Sequence, residues 1–396
     1  MRRFKWRGAL FALTAAAMVV AVAAGFTVKK NASDIHIAMI APLTGPYVFV
    51  GGPERDAAVK AVAEINAQGG IKGHKLVMDV FDDATSPSQS VQLTQQVISD
   101  PKYVAMIGTG FGSAALPDEQ VASGKILYIS EAAPVAQVQP AKPSIYMVPP
   151  NSRLFAYNLA AYLRKHGLTK IGLLHDNGAY PTEGTANVKQ YATNGRLDIV
   201  DDETFALSTT DFTAILTKLQ STDAQAIWLW NLPQAVAVTK QYRQLGVNKQ
   251  LVLTGGNATP QYLSPTAACP DANGALINSS VAQVAKFLPK SNPSRAIALH
   301  VDALMGQQGN QFYYDGYSAV NIIKAGLLKT NMTTDRQTLI SGFENLVKYV
   351  GAEGTWIFKG SKHAGLGVND LVISKIVNCA YQPVPGQALL SPKKKK

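Results

Sequence analysis

The chain has 396 residues, 47% of them apolar and 16% charged, with a formal net charge of +11. That length accommodates two or three domains, and that balance excludes a disordered chain, which combines low hydropathy with high net charge. The basic excess sits at the two ends: without Arg2, Arg3, Lys5 and Arg7 the charge falls to +7, and without the lysines at 393–396 to +3, so no nucleic-acid footprint of clustered Arg and Lys with interleaved aromatics is left.

The first predicted element is a leader. "MRRFKWRG" is a positively charged start, and "ALFALTAAAMVVAVAAGF" is an apolar run ending in small residues. Together they read as a signal peptide over residues 1–24, with an A-x-A-like site at Ala21-Val22-Ala23 or one residue on, which predicts export to the periplasm. An uncleaved anchor is the alternative, since the run is about long enough to span a bilayer. No cysteine follows the run, which argues against a lipoprotein, and the flanks of Arg2-Arg3 fit a twin-arginine signal poorly.

From about residue 34, strand-like and helix-like runs alternate. "IHIAMIAP" predicts a strand, and "APLTGPYVFVGG" a loop carrying Tyr47 and Phe49. "GPERDAAVKAVAEINAQGG" predicts a helix with its apolar stripe at Ala58, Val62 and Ile65, stopped at Gly69-Gly70. Then come a strand ("HKLVMDVFDD"), a helix with a Ser/Pro start ("SPSQSVQLTQQVISD"), a strand ("YVAMIGTG"), a short helix ("SAALPDEQVASG") and a strand ("ILYISEAAP"). "YMVPPNSR" interrupts as a Pro-rich hinge, and a second series of the same kind runs from a helix at 153–166 to the strand "KQLVLTGG". The rhythm predicts an α/β fold of two Rossmann-like lobes with parallel sheets. No 20–50-residue period points to a solenoid.

Enzyme signatures are weak. "GTGFGS" at 108–113 spaces its glycines as G-x-G-x-G rather than G-x-G-x-x-G, and "APLTGP" lacks the lysine of a phosphate loop. There is no G-x-S-x-G elbow, and the six histidines show no metal-binding spacing. His175-Asp176 reads as a turn pair. Asp82-Asp83 and Asp201-Asp202 read as solvated strand ends, because neighbours on a strand point to opposite faces. No catalytic residue, metal site or cofactor is expected.

What remains is recognition. Ligands of open parallel sheets bind beyond the carboxyl ends of the strands. Those ends carry Tyr47, Thr109 to Ser113, Ser130 to Pro134, Asn177 to Tyr180, Trp230-Asn231 and Gly255 to Asn257. Backbone N–H groups at the helix start near Ser113 favour an anion such as a carboxylate. Tyr47, Tyr180 and Trp230 are expected to supply an apolar clamp. Cys269 and Cys379 form one disulfide or remain two buried thiols.

The run "IAMIAPLTGPYVFVG…AAVKAVAEINAQGGIKGHKLVMDVFDDATSPSQSVQLTQQVISD" resembles the opening of the branched-chain amino acid (leucine/isoleucine/valine) substrate-binding proteins, type I periplasmic binding proteins of ABC transporters. "YVAMIGTGFGSAA", "HDNGAYPTEG", "YYDGYSAVNIIKAGL" and "GAEGTWIFKGSKH" continue the likeness in order. The resemblance implies two lobes joined by three crossover hinge segments: residues 34–148 plus 283–350, and 149–282 plus 351–390, followed by a Lys-rich tail at 391–396. It implies a small-molecule ligand trapped in the cleft and ABC permease subunits in the inner membrane as partners. A periplasmic sensor or amide-type regulator of the same fold is the alternative. The implied ligand-binding positions are Tyr47, Phe111, Gly112, Ser113, Glu131, Ala132, Ala133, Pro134, Tyr180, Trp230 and Asn257. The family's second-lobe acid, partner of an α-ammonium, is missing; Gly255, Gly256 and Asn257 stand there. With Glu131 expected to face solvent, the reading favours a carboxylic acid, an amide or an atypical amino acid without a charged α-amine.

Overall fold

β1 (Ile35–Ala41) is buried along all its length except the half-buried His36. A strand apolar on both faces belongs inside a parallel sheet covered by helices. The computed structural model, which describes residues 33–390, places it there. The expected leader at 1–24 and tail at 391–396 lie outside the described residues.

The first lobe runs β1, α1 (Val48–Ala67), β2 (Leu76–Asp82), α2 (Pro87–Ser99), β3 (Tyr103–Gly108), α3 (Gly112–Ala122), β4 (Leu127–Ser130) and β5 (Ile145–Met147). Its strands are all parallel, in the order β2-β1-β3-β4-β5. The second lobe runs α4 (Ser152–Lys165), β6 (Lys170–Asp176), α5 (Ala179–Ala192), β7 (Asp198–Phe205), α6 (Thr213–Ser221), β8 (Ala226–Trp230), α7 (Ala235–Gln244), β9 (Gln250–Leu253) and β10 (Leu276–Ser280). The chain then returns to the first lobe through α8 (Pro293–Met305), α9 (Gln311–Lys329), α10 (Arg336–Leu346), β11 (Val347–Gly351) and β12 (Gly354–Phe358), and ends in β13 (Leu371–Val377) and β14 (Ala380–Pro383). It therefore passes between the lobes three times.

Local chemistry sets the helix starts. Ser86, Asn151, Asn292, Asn310 and Asp335 each accept a backbone N–H of the helix they precede. Pro87 and Pro293 occupy first helical positions, where a missing N–H costs nothing. Among the described residues no helix is long and apolar enough to cross a membrane.

Three details differ from the sequence reading. First, α1 begins at Val48, so "VFVGG" is helix and only Tyr47 remains at the lip. Gly51 makes this path available: a Cβ there would lie 2.5 Å from the Pro42 ring. Second, the second sheet, ordered β14-β13-β10-β9-β8-β6-β7, is not wholly parallel, because β13 runs antiparallel to both β10 and β14. Third, the boundary expected between 350 and 351 cuts a hairpin. β11 and β12 pair residue for residue, and Trp356 and Phe358 pack in the first lobe's core with Ile37, Ile107, Ile129 and Phe343. The chain joins the second sheet only at Leu371.

Candidate functional site

Strand order creates two crevices. In the first sheet β1 lies between β2 and β3; in the second, β6 lies between β7 and β8. Loops leaving adjacent strands toward opposite faces part at such points and leave a gap. The two gaps face each other and enclose one cleft. The first lobe lines it with Tyr47, Phe111, Gly112, Ser113, Glu131 and Ala133, and the second with Phe155, Ala179, Tyr180, Leu232 and Gly256. Gln311, Phe312 and Asp315 of α9 complete the wall.

The lip is rigidly held. Asp82 accepts the backbone N–H groups of Leu43 (2.9 Å) and Thr44 (3.2 Å) and the Thr44 hydroxyl (2.7 Å). It is thus a brace for the β1–α1 loop, not the solvated strand end expected of it. Asp83, fully buried, accepts the Thr85 N–H at 2.8 Å. Tyr47 packs on Phe111 with ring centroids 4.5 Å apart, and Phe49 stacks behind at 5.9 Å. Burial, with Asp176 and Tyr180 nearby, pushes the Tyr47 phenol far above its usual range, so it stays protonated and can donate.

Ser113 and Gly112 open α3, and the start of a helix leaves backbone N–H groups free to bind an anion. Ser113 Oγ accepts the N–H of Ala179 at 3.1 Å, across the cleft. A Cβ on Gly112 would meet the Pro134 ring at 2.8 Å, so the α3 start and the loop after β4 fit only with glycine there.

Several expected positions lie elsewhere. Trp230 is fully buried in the second lobe's core beside Trp228, and its ring backs Tyr180 at 5.4 Å instead of facing the cleft. Residues two apart on a strand share a face, so the burial of Trp228 entails that of Trp230. Asn257 donates to the Asn231 carbonyl at 3.0 Å and ties β9 to β8, leaving Gly256 at the cleft surface. Ala132 and Pro134 stand behind the lining, Pro134 against Gly112. His175 is no loop histidine but a buried residue of β6, its ring 3.1 Å from the Thr204 hydroxyl, while Asp176 at the strand's end braces the turn, accepting Gly178 N–H at 2.7 Å and Asn231 Nδ2 at 2.8 Å. Cys269 and Cys379 are joined as a disulfide, with Cα atoms 5.6 Å apart.

The largest correction concerns Glu131. Instead of facing solvent it is 3% exposed and lines the cleft. Its carboxyl meets that of Glu54, and Asp315 meets Glu353. Burial, reinforced by the neighbouring acids, pushes all four well above the ordinary carboxylate range. An acid is therefore available to an amine after all, because the first lobe supplies two at the cleft, Glu131 and Asp315. Residues from α9 were missed as lining: Gln311, Phe312 and Asp315 follow Gly256, the last of the other lining residues, by 55 positions or more. Their signal was "YYDGYSAVNIIKAGL", which begins one residue after Phe312.

Comparison with known proteins agrees with this architecture. Residues 34–379 match the family model described as periplasmic binding protein. The "Leu/Ile/Val-binding protein homolog 3" of Brucella melitensis is 29% identical over 308 residues, covering 76% of this chain and 81% of that protein. An extracellular ligand-binding receptor of Rhodopseudomonas palustris HaA2 superposes with a TM-score of 0.81 at 21% identity, covering 89% of this chain and 99% of the other. A solute-binding protein of Rhodopseudomonas palustris BisB5, solved in complex with 3,4-dihydroxy benzoic acid, gives a TM-score of 0.76 at 20% identity, covering 89% and 96%.

Proposed function

The chain belongs to the type I periplasmic binding proteins of the branched-chain amino acid family, and from that premise we propose that it captures a small organic acid between its lobes and delivers it to the permease of an ABC importer. The family and the reading of residues 1–24 support a periplasmic location. Members of the family bind solutes, and no step of chemistry on the ligand is invoked here.

The carrying observation is the cleft itself. Aromatic faces stand on both sides, Tyr47, Phe111 and Phe312 on one lobe and Phe155 and Tyr180 on the other. Such walls suit a flat or branched apolar body. At one margin Gly112 and Ser113 offer the N–H groups of the α3 start, which suit a carboxylate. A structurally similar protein is described with 3,4-dihydroxy benzoic acid bound, a compound of this kind. We propose Tyr47, Phe111, Gly112, Ser113, Glu131, Ala133 and Tyr180 as ligand contacts.

The free volume of the cleft is about 50 Å³. Ordinary ligand pockets hold about 300 Å³ or more. Entry therefore requires the lobes to part, and binding draws them together around the guest. Calorimetry with purified protein tests the reading. Benzoate, 3,4-dihydroxybenzoate, aliphatic acids, amides and leucine are titrated in turn, and the recovered compound is analysed. Saturable binding of an organic acid recovered unchanged is expected. Turnover of the compound, or no saturable binding of any compound in the panel, would refute it.

A further inference from the structure

Four carboxyl groups meet at the cleft wall, each from a different part of the first lobe. Glu54 comes from α1, Glu131 from the end of β4, Asp315 from α9, and Glu353 from the β11–β12 turn. Glu54, Asp315 and Glu353 are 0–1% exposed. Neither oxygen of Glu131 or of Glu54 receives a hydrogen bond from any amide, amine or hydroxyl; the two carboxyls have each other. Asp315 and Glu353 face each other in the same way and share the Gln311 amide, which donates to Asp315 at 3.3 Å and also to Glu353.

The groups around this cluster are all acidic or neutral. Asp83 faces Glu54, Tyr128 faces Glu131, and Tyr314 and Tyr349 face Glu353. Among the described residues neither a lysine nor an arginine bears on any of the four. Among the described residues no group of His, Cys, Asp or Glu is arranged to hold a metal ion. Buried carboxylates without a counter-charge keep protons instead, so the cluster is two carboxyl pairs holding protons that a cation could replace. Two of the four, Glu131 and Asp315, reach the cleft surface. Beside them stand the rings of Tyr47, Phe111 and Phe312, and aromatic faces attract a cation in a water-poor site.

We infer that Glu131 and Asp315 form a receptor for a protonated amine carried by the ligand, and that the amine enters in exchange for a proton of the cluster. The inference rests on the reading of the cleft as the ligand site and narrows the ligand to an amine-bearing organic acid. The receiving carboxyl ionises as the ammonium arrives, its proton leaves to solvent, and the net charge of the buried group is unchanged. The amine's counter-charge thus comes from the first lobe, whereas the second lobe offers only Gly256 and the inward-tied Asn257 at the corresponding loop.

The test pairs two probes of one shape, benzoate and 4-(aminomethyl)benzoate, titrated into the full protein in phosphate and in Tris, whose ionisation heats differ. The amine-bearing probe is expected to bind at least about tenfold more tightly. It should release a proton on binding, and its affinity should rise with pH, because a proton competes with the ammonium. Glu131→Gln and, separately, Asp315→Asn should diminish that preference, with a thermal melt confirming that each variant folds. Proton release is read on the unaltered protein and needs neither variant. If benzoate binds as well as its amine analogue, or the amine binds without releasing a proton, the inference is overturned while the cleft reading stands. If neither probe binds the folded protein the inference is overturned, and the cleft reading falls with it when the wider panel of acids and amides also fails to bind.

Discussion

The carboxylate of Glu183, on α5 of the second lobe, accepts a hydrogen bond from the backbone N–H of Ala136, on the first lobe, at 2.8 Å. It also takes the neighbouring Val135 N–H, and the Ser152 hydroxyl steadies it at 2.6 Å. One charged group thus holds two N–H donors of the opposite lobe, and parting the lobes exchanges those bonds for water.

Glu183→Ala removes this latch. A hydrogen bond to a charged group contributes about 1.5–3 kcal/mol. The ligand-free variant should be more open by small-angle scattering, and its ligand affinity should fall by roughly ten- to a hundredfold. Unchanged scattering together with an unchanged Kd would show that Glu183 does not hold the lobes.

Two helix glycines should respond with opposite signs. A Cβ on Gly316, in α9, would overlap the carbonyl of Glu54 in α1, so the two helices approach as closely as they do only because that position is bare. Gly316→Ala should lower stability by about 1–3 kcal/mol through overpacking. Gly52, in α1, has nothing within 4 Å of its notional Cβ. Gly52→Ala should raise stability by up to about 1 kcal/mol through helix propensity. Denaturant midpoints measure both, and a shared sign would contradict the packing account.

Cys269 and Cys379 are 110 positions apart and tie the loop after β9 to the β13–β14 turn. Closing so long a loop restricts the unfolded chain, and removing such a bond typically costs about 2–5 kcal/mol. Replacing both with serine should lower the melting temperature measurably. A reductant should shift the parent protein toward the variant and leave the variant unmoved.

Stability should fall as pH rises from about 5 to 8. Burial pushes the Asp118 carboxyl up to about 7 despite the Ser90 hydroxyl bonded to it at 2.5 Å. Burial likewise pushes Glu119 up to about 7, outweighing its ion pair with Lys142. The folded state therefore keeps protons that the unfolded chain releases above about pH 4. Stability is then lost as pH climbs through the folded values. Glu54, Glu131, Asp315 and Glu353 act in the same direction. Asp79, held low by the Tyr103 hydroxyl and Lys102, acts in the opposite sense only in more acidic solution. Scanning calorimetry should find a melting temperature several degrees higher near pH 5.5 than near pH 8, with a smaller difference in Asp118→Asn. A flat profile would contradict the assignment.

The strand and helix rhythm through residue 253 was legible because each element's burial is written in its own residues. β3, β4 and β8 are continuous apolar runs buried on both faces, and α1 buries Ala58 and Ile65 of its expected stripe, with Val62 half-buried against the core and Ala61 fully buried beside it. The cleft loops were legible for the same reason, since Tyr47, Phe111 to Ser113 and Tyr180 follow directly from where those strands stop. Local chemistry misled at "VFVGG", which read as loop although Gly51 lets the helix pass against Pro42. It misled at Trp230 as well, where the alternation with Trp228 was the overlooked signal.

Only the tertiary structure decided the polarity of the cleft. A single glutamate at 131, read alone, belongs in water, because an isolated buried charge is prohibitive. Its burial goes with three acids far away in the chain: Glu54 pairs with it, and Asp315 and Glu353 pair beside it, once four separate elements converge. The chain's own sequence determined two parallel-sheet lobes and the loops that rim their meeting; which groups face a ligand there was settled by packing between segments hundreds of residues apart, a relation no local pattern encodes.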